Sequence, residues 1–387
     1  MNKLFNSLIF KLVLAVVAGL FIGFISPAGL MNVIVTLKYV LGQVILFAVP
    51  LIIIGFIAPS IAKLRSNASK FLGYAVGLAY LSSVGAATFS AIFGYILIPK
   101  LSIVAQTEGL RELPEIIFKL DIPPVMSVMS ALFLSIIVGL AVTWTKADLF
   151  EKLLDQFQDI VLSLVNKIII PILPFFIATT FSTLAYEGSI TKHLPVFLKV
   201  IVIVLIGHFI WLTLLYLIGG AMSGKNPINV IKNYGAAYLT AVGSMSSAAT
   251  LPVALECARK CDDLRKDIVD FSIPLCANIH LCGSVLTEVF FVMVVSQILY
   301  GHLPSVSSMV LFIVLLGIFA IGAPGVPGGT VMASLGLITS VLAFNETGTA
   351  LILTIFALQD SFGTACNVTG DGALTLMLTG IANKKNL

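Results

Sequence analysis

Gly322-Ala323-Pro324-Gly325-Val326-Pro327-Gly328-Gly329-Thr330 interrupts the longest uncharged stretch of this chain, the run from Glu288 to Glu346 with no Asp, Glu, Lys or Arg inside it. At roughly 20 residues per helical crossing, that stretch is long enough to pass a bilayer more than twice. Its Gly/Pro centre leaves two apolar arms, about Met309 to Ile321 and Val331 to Phe344, each too short to cross alone. Lipid cannot satisfy backbone N–H and C=O groups, so backbone broken at membrane depth survives only inside protein or beside a water-filled cavity. The pattern predicts a re-entrant helical hairpin over about 305–344.

A second interruption lies in the uncharged run between Lys232 and Glu256, where the chain reads Gly243-Ser244-Met245-Ser246-Ser247-Ala248-Ala249-Thr250-Leu251-Pro252. A small, hydroxyl-rich segment closed by proline is poor material for a lipid-facing helix. It predicts another hairpin, over about 226–258, whose tip meets the first in the interior. Broken helices near the midplane mark the binding site of a secondary transporter.

Composition agrees with a membrane solvent. Of 387 residues, 59% are hydrophobic and 10% charged, whereas a soluble domain carries about 25% charged residues. A net charge of +4 is accounted for by basic loops and makes no case for nucleic acid. Five cysteines, an odd number without regular spacing, set out no disulfide framework. Uncharged runs at Lys11–Lys38, Lys38–Lys63, Lys70–Lys100, Asp121–Lys146 and Lys199–Lys225 predict crossings, as does Ile160–Ala185, broken only by Lys167. The N-terminal stretch lacks a small-residue cleavage site and is expected to be retained as the first membrane helix. With the N-terminus in the cytoplasm, the inside receives Lys63, Arg65, Lys70, Lys146, Lys152, Lys225, Lys232, the Arg259–Lys266 cluster and Lys384-Lys385. The outside receives Lys38, Lys100, Arg111, Lys119, Lys192 and Lys199. The positive-inside rule favours this orientation, with both termini cytoplasmic and the protein in the plasma (bacterial inner) membrane.

The last long apolar stretch carries Asp360, Thr364, Asn367 and Asp371, spaced to lie along one helix face. A carboxylate at the membrane centre costs about 2.5–3.5 kcal/mol on insertion scales, so two on one face call for a partner: a cation, a substrate amine or a basic side chain. A second polar cluster, Asn278, His280, Cys282, Gly283 and Ser284, with Glu288 a turn later, predicts one more interrupted span. A lone histidine is usually structural. One in a break facing carboxylates is suited to holding a proton.

These motifs resemble those of the dicarboxylate/amino acid:cation symporter family, the glutamate transporter homologues. Met245-Ser246-Ser247-Ala248-Ala249-Thr250-Leu251-Pro252 is similar to the serine-rich first tip of that family, Gly325-Val326-Pro327-Gly328-Gly329 to its second tip, and Asn367-Val368-Thr369-Gly370-Asp371 to its eighth-helix motif. The resemblance implies an all-α polytopic fold of eight transmembrane helices plus two re-entrant hairpins, a homotrimer, and an elevator mechanism. A scaffold domain would comprise 1–70 and 120–195, and a moving transport domain 71–100 and 196–387. Carried over residue by residue, it implies that Ser246, Ser247, Val326 and Gly328 face the substrate from the two tips. Asp360 would bind its amine, and Thr364 and Asn367 its α-carboxylate. No cofactor is implied beyond a coupling ion, H+ or Na+.

The departures shape the functional expectation. Where the family's acidic amino acid carriers hold an arginine for the substrate's side-chain carboxylate, this chain has Gly363; where some members place a compensating arginine on the first tip, it has Met245. Arginine is the preferred carboxylate binder, so a small neutral amino acid is expected, with dicarboxylate or acidic amino acid uptake the alternative. The family's Asn-Met-Asp-Gly-Thr ion-site segment reads here His280-Leu281-Cys282-Gly283-Ser284. Cys282 removes an anion, and His280, facing Asp371 by the alignment, brings a protonatable ring. Sodium coupling is therefore expected to be reduced or replaced by protons on His280 or Glu288. A residual sodium site at Leu281, Asn367 and Asp371 is the alternative. From a different class, an intramembrane serine hydrolase would use Ser246 or Ser247 with His280, but no nucleophile-elbow pattern surrounds those serines.

Overall fold

The computed structural model describes residues 8–63, 70–101, 111–188, 190–323, 325 and 327–385, and the regular elements among them are all helical. Helix α1 (Leu8–Ile25) is followed by α2 (Ala28–Lys63), α3 (Lys70–Leu97), α4 (Val128–Thr145), α5 (Asp148–Leu164), α6 (Ile170–Glu187) and α7 (Ile190–Ser223). A π-helical turn, Val165–Ile169, joins α5 to α6 without a break. The second half contains α8 (Ile228–Ile231), α9 (Gly235–Ser244), α10 (Ser247–Arg259), α11 (Lys266–Ile279), α12 (Cys282–Tyr300), α13 (Val306–Gly322), α14 (Gly329–Ser340) and α15 (Glu346–Lys385).

Among the described residues, six helical stretches are long and apolar enough to cross a bilayer, four of them before Lys225. Helices α1 and α4, which the sequence also reads as crossings, have 18 residues each, about 27 Å at 1.5 Å per residue. The boundary between the first two helices differs from the charge-based expectation. Lys38 does not end a span; it sits inside α2, a helix of 36 residues. The turn is Ser26-Pro27, where the Ser26 hydroxyl donates to Ile22 O at 2.6 Å and the proline disfavours helical backbone at the residue before it. Lys199 likewise lies inside α7.

Serine and asparagine start several of these helices, their side-chain oxygens taking an otherwise orphaned N–H. Ser127 caps α4 and Ser305 caps α13. Asn345 Oδ1 accepts from Gly348 N at 2.9 Å at the start of α15.

Two groups of helices emerge from the contacts. Helix α1 lies on α6, and α2 lies on α4, α5 and α6. In the other group α12 and α15 pair at the centre, wrapped by α3, α7, α9 and α11. The two groups meet mainly through α13 and α14, which touch both α2 and helices of the second group. The most apolar part of Lys266–Tyr300 is 100% buried and that of Glu346–Lys385 89%, against 28% for Val196–Ser223. The helices that carry the polar residues are therefore the enclosed ones, as the cost of polar groups in hydrocarbon requires. Leu14, Phe21, Phe133, Ile206 and Leu217 are exposed on the outer helices, an apolar surface suited to lipid.

Candidate functional site

Both predicted interruptions are real breaks. Helix α9 stops at Ser244 and α10 starts at Ser247; between them Met245 takes a left-handed conformation, φ 54, and Ser246 an extended one. For an L-residue other than glycine that conformation costs about 1–2 kcal/mol, and Met245 is held in it by its N–H to Ala241 O at 2.9 Å and by burial of its side chain. Ser246 Oγ accepts from Ala249 N at 3.2 Å, capping α10, and its hydroxyl donates to Gly325 O at 2.7 Å. The two tips are thus bonded to each other. In the second break Gly328 has φ 72 and serves as N-cap of α14, a conformation glycine adopts without a Cβ penalty. Its N–H donates to Asp360 Oδ2 at 2.6 Å. Ser247 is buried in the first turn of α10. Val326 lies outside the described residues.

Helix α15 passes beneath these tips without interruption, and Asp360, Thr364, Asn367 and Asp371 are all buried on it. Three of them meet different partners: Asp360 meets the second tip, while Asn367 and Asp371 meet the break between α11 and α12. Leu281, the N-cap residue of α12, has no side-chain oxygen to cap with. Asn367 supplies it from across the contact. Its Oδ1 accepts from Gly283 N at 2.7 Å and Ser284 N at 3.2 Å, and its Nδ2 donates to Ser284 Oγ at 2.9 Å. The sequence reading put an interruption around Cys282-Gly283-Ser284. The break falls just before, at His280-Leu281, and those three residues form the first turn of α12.

His280 is fully buried in that break. Its Nδ1 lies 2.9 Å from Asp371 Oδ1 and its Nε2 2.8 Å from Ser82 Oγ on α3. The ring therefore ties α3, the α11–α12 break and α15 together in one line. The residues of the alternative sodium site are engaged: Leu281 O accepts from Val285 N at 3.0 Å, Asn367 Oδ1 holds two backbone N–H groups, and Asp371 Oδ1 holds His280. Cys282 is buried with its Sγ 4.0 Å from Cys366 O. Glu288 is buried on α12. One oxygen takes a short hydrogen bond from Ser334 of α14, and the other has no partner among the described residues.

Gly363 lies against α12. A Cβ there would come within 3.3–3.4 Å of Ser284 backbone and side-chain atoms. A Cβ on Gly283 would sit 2.4 Å from both Cys366 Cβ and Gly363 O. These two glycines let α12 and α15 approach closely, and at position 363 even a Cβ would need Ser284 to give by a few tenths of an ångström. Among the described residues the buried charged or titratable side chains are Glu288, Asp360, Asp371, His208 and His280, the five cysteines, and Tyr186, Tyr216 and Tyr234, and no lysine or arginine is fully buried.

Sequence reasoning missed Ser82, Ser334 and His208. Ser82-Ser83 is a hydroxyl pair in the middle of a largely apolar helix, a signal present but unremarkable without knowledge of what faces it. His208, in the uncharged part of α7 beyond Lys199, places Nε2 3.1 Å from Gly283 O and 2.9 Å from Thr287 Oγ1. The hydrolase reading paired His280 with Ser246 or Ser247, and the structure does not: the two ring nitrogens lie against Ser82 and Asp371, and Ser246 is bonded to the second tip.

A row of buried carboxyl, amide and hydroxyl groups beneath two joined chain breaks, in a multi-pass membrane protein, is the arrangement a membrane carrier calls for. Residues 8–381 match the sodium:dicarboxylate symporter family, and the chain belongs to it. Among curated relatives, a serine/threonine transporter of Streptococcus agalactiae is 27% identical over 409 residues, covering 98% of this chain and 96% of the relative. Another serine/threonine transporter, of Streptococcus thermophilus, is 25% identical with the same coverage. Excitatory amino acid transporter 3 of Mus musculus is 32% identical over 185 residues, 46% of this chain and 34% of the relative.

Proposed function

We propose that this protein is a secondary active transporter that moves a small neutral amino acid across the membrane, with protons taking over part or all of the coupling that sodium performs. The observation that carries the substrate reading is the charge inventory of the interior: a buried carboxylate at Asp360 beneath the tips, and no fully buried lysine or arginine among the described residues, Lys38 being half-buried in a separate cavity. An α-amine finds a partner in Asp360, whereas a second carboxylate on the substrate would enter without one, at a cost that an unpaired buried charge cannot recover. The names of the serine/threonine transporters that align along nearly the whole chain support the same substrate class. Ser246, Ser247, Val326 and Gly328 would shape the site from the tips, and Thr364 and Asn367 from α15. The Gly328–Asp360 contact would hold the second tip closed until a substrate amine displaced or joined it.

The coupling reading rests on His280. Its ring spans Ser82 and Asp371, filling with imidazole a place where a sodium ion needs oxygen ligands. Glu288, with one carboxyl oxygen unpartnered, is the second candidate proton carrier. The elevator, the homotrimer, eight crossings with two re-entrant hairpins, the two domains and cytoplasmic termini complete the proposal. The contacts that separate α1, α2 and α4–α6 from α3, α7–α12 and α15 support the domain division.

The test is uptake into proteoliposomes. Labelled L-serine or L-threonine is expected to accumulate on an inward proton gradient without sodium, to exchange by saturable counterflow, and to lose proton drive in His280→Asn. Uptake driven by a sodium gradient at clamped pH and undiminished in His280→Asn would refute the proton reading. Saturable high-affinity glutamate or aspartate transport would refute the substrate reading.

A further inference from the structure

A cavity of about 360 Å³ lies apart from the joined tips, between the helix group of α2 and α6 and the first turns of α15. Its volume is in the range of small-molecule sites. Most of its wall is apolar, with Leu46, Leu113, Ile116, Phe176 and Leu353 contributing. Two charged side chains line it: Lys38 from α2 and Glu346 from the start of α15.

The polar groups around it are unevenly committed. Tyr39 is bonded to Asp121, and Gln43 Oε1 accepts from Ile122 N at 3.3 Å. The Asn345 side chain takes Gly348 N, so the α15 N-terminus is already capped. Lys38 Nζ donates to one group among the described residues, Thr183 Oγ1 at 3.3 Å. An ammonium has three N–H donors, so two remain. Glu187 and Glu346 are the acidic groups that act on Lys38 through space. A simple anion entering here meets the Glu346 carboxylate as well as the Lys38 ammonium, and a simple cation meets Lys38. A molecule with both charges and a compact apolar body satisfies all the walls: carboxylate to Lys38, ammonium to Glu346, side chain against Phe176 and Leu353.

We propose that this cavity is a second amino acid site, selective for a zwitterionic α-amino acid with a branched or aromatic apolar side chain and distinct from the site beneath the tips. Because its walls come from both helix groups, an occupant would bridge them.

Equilibrium binding of labelled L-leucine and L-phenylalanine to the purified full-length protein in nanodiscs tests this, in the unaltered chain and in Asp360→Asn, which removes the carboxylate of the other site. Saturable binding is expected in both. It should weaken about tenfold or more in Lys38→Met and in Glu346→Gln, each of which deletes one charge-assisted hydrogen bond. It should be lost in Leu353→Trp, which fills the cavity; melting temperature and elution volume verify that each variant is folded. 4-Methylpentanoate, without the amine, and 3-methylbutylamine, without the carboxylate, should compete about tenfold or more weakly than leucine. Absence of saturable binding, binding unchanged in both charge variants, or equal competition by either analogue would overturn the proposal. Loss of binding in Asp360→Asn alone would assign it to the tips and overturn it as well. Serine uptake is measured separately, so failure of this site leaves the transport reading standing.

Discussion

Asn367 caps a helix to which it does not belong. Its Oδ1 satisfies Gly283 N and Ser284 N at the start of α12, which Leu281 cannot do for itself. Removing that oxygen leaves two buried N–H groups without partners, each worth about 1–3 kcal/mol. Asn367→Ala is therefore expected to destabilise the protein by about 2 kcal/mol or more, read as a lower unfolding midpoint in detergent. Thr369, two residues on, is the control. Its hydroxyl is buried with no partner among the described residues, so Thr369→Val, which deletes an unsatisfied polar group at nearly constant volume, should be neutral or stabilising. If the two variants behave alike, the capping account is wrong. The stripe of Asp360, Thr364, Asn367 and Asp371 was legible from spacing alone, because helical periodicity places those positions on one face. The family resemblance put His280 opposite Asp371, but the partners of Asp360 and Asn367 were not legible, since Gly328, Gly283 and Ser284 are remote in sequence and brought close by packing.

At the scale of elements, the contact between α12 and α15 depends on backbone approach. Gly283→Ala would place a Cβ 2.4 Å from Gly363 O and from Cys366 Cβ, neither of which can swing aside as a flexible side chain would. Overpacking of this kind costs about 1–3 kcal/mol, and the expected result is a lowered melting midpoint with a matching loss of serine uptake. Gly73, on the exposed side of α3, has no atom within 4 Å of an added Cβ. Gly73→Ala should raise stability by up to about 1 kcal/mol through helix propensity. A melting midpoint for Gly283→Ala at or above that of the unaltered chain would show that the helices have slack there. The same contact explains why the third interruption lay slightly off its expected position. Glycine and serine at 283 and 284 weaken a helix in isolation, but Asn367 stabilises their first turn and moves the break to His280-Leu281.

For the whole molecule, the proposed mechanism requires one helix group to move past the other. Gly322, at the end of α13, lies against Ile57 of α2: an added Cβ would be 3.3 Å from Ile57 Cβ. It would also be 3.0 Å from Ile57 Cα, so the two positions are slightly nearer than the Cβ–Cβ separation of about 3.5–4.5 Å that a disulfide needs, and the helices must ease apart by a few tenths of an ångström to form one. The double substitution Ile57→Cys with Gly322→Cys is expected to cross-link under mild oxidation and to stop counterflow, with recovery on reduction. All five native cysteines are buried, which limits competing bridges. Full-rate transport by cross-linked protein would mean that these two helices do not separate during the cycle.

By itself the sequence determined that the chain lives in lipid, where its helices are interrupted, and which residues form the polar stripe, because composition, charge spacing and Gly/Pro runs act locally and leave a direct trace. Span boundaries followed less well, as at Lys38, because a long helix tolerates a lysine that finds protein on one side. Tertiary structure alone decided that His280 also reaches Ser82, that Gly363 fills a helix contact, and that Lys38 and Glu346 share a cavity. Those relations join residues tens to hundreds of positions apart, and only the burial that drives α3, α12 and α15 together brings them within hydrogen-bonding range.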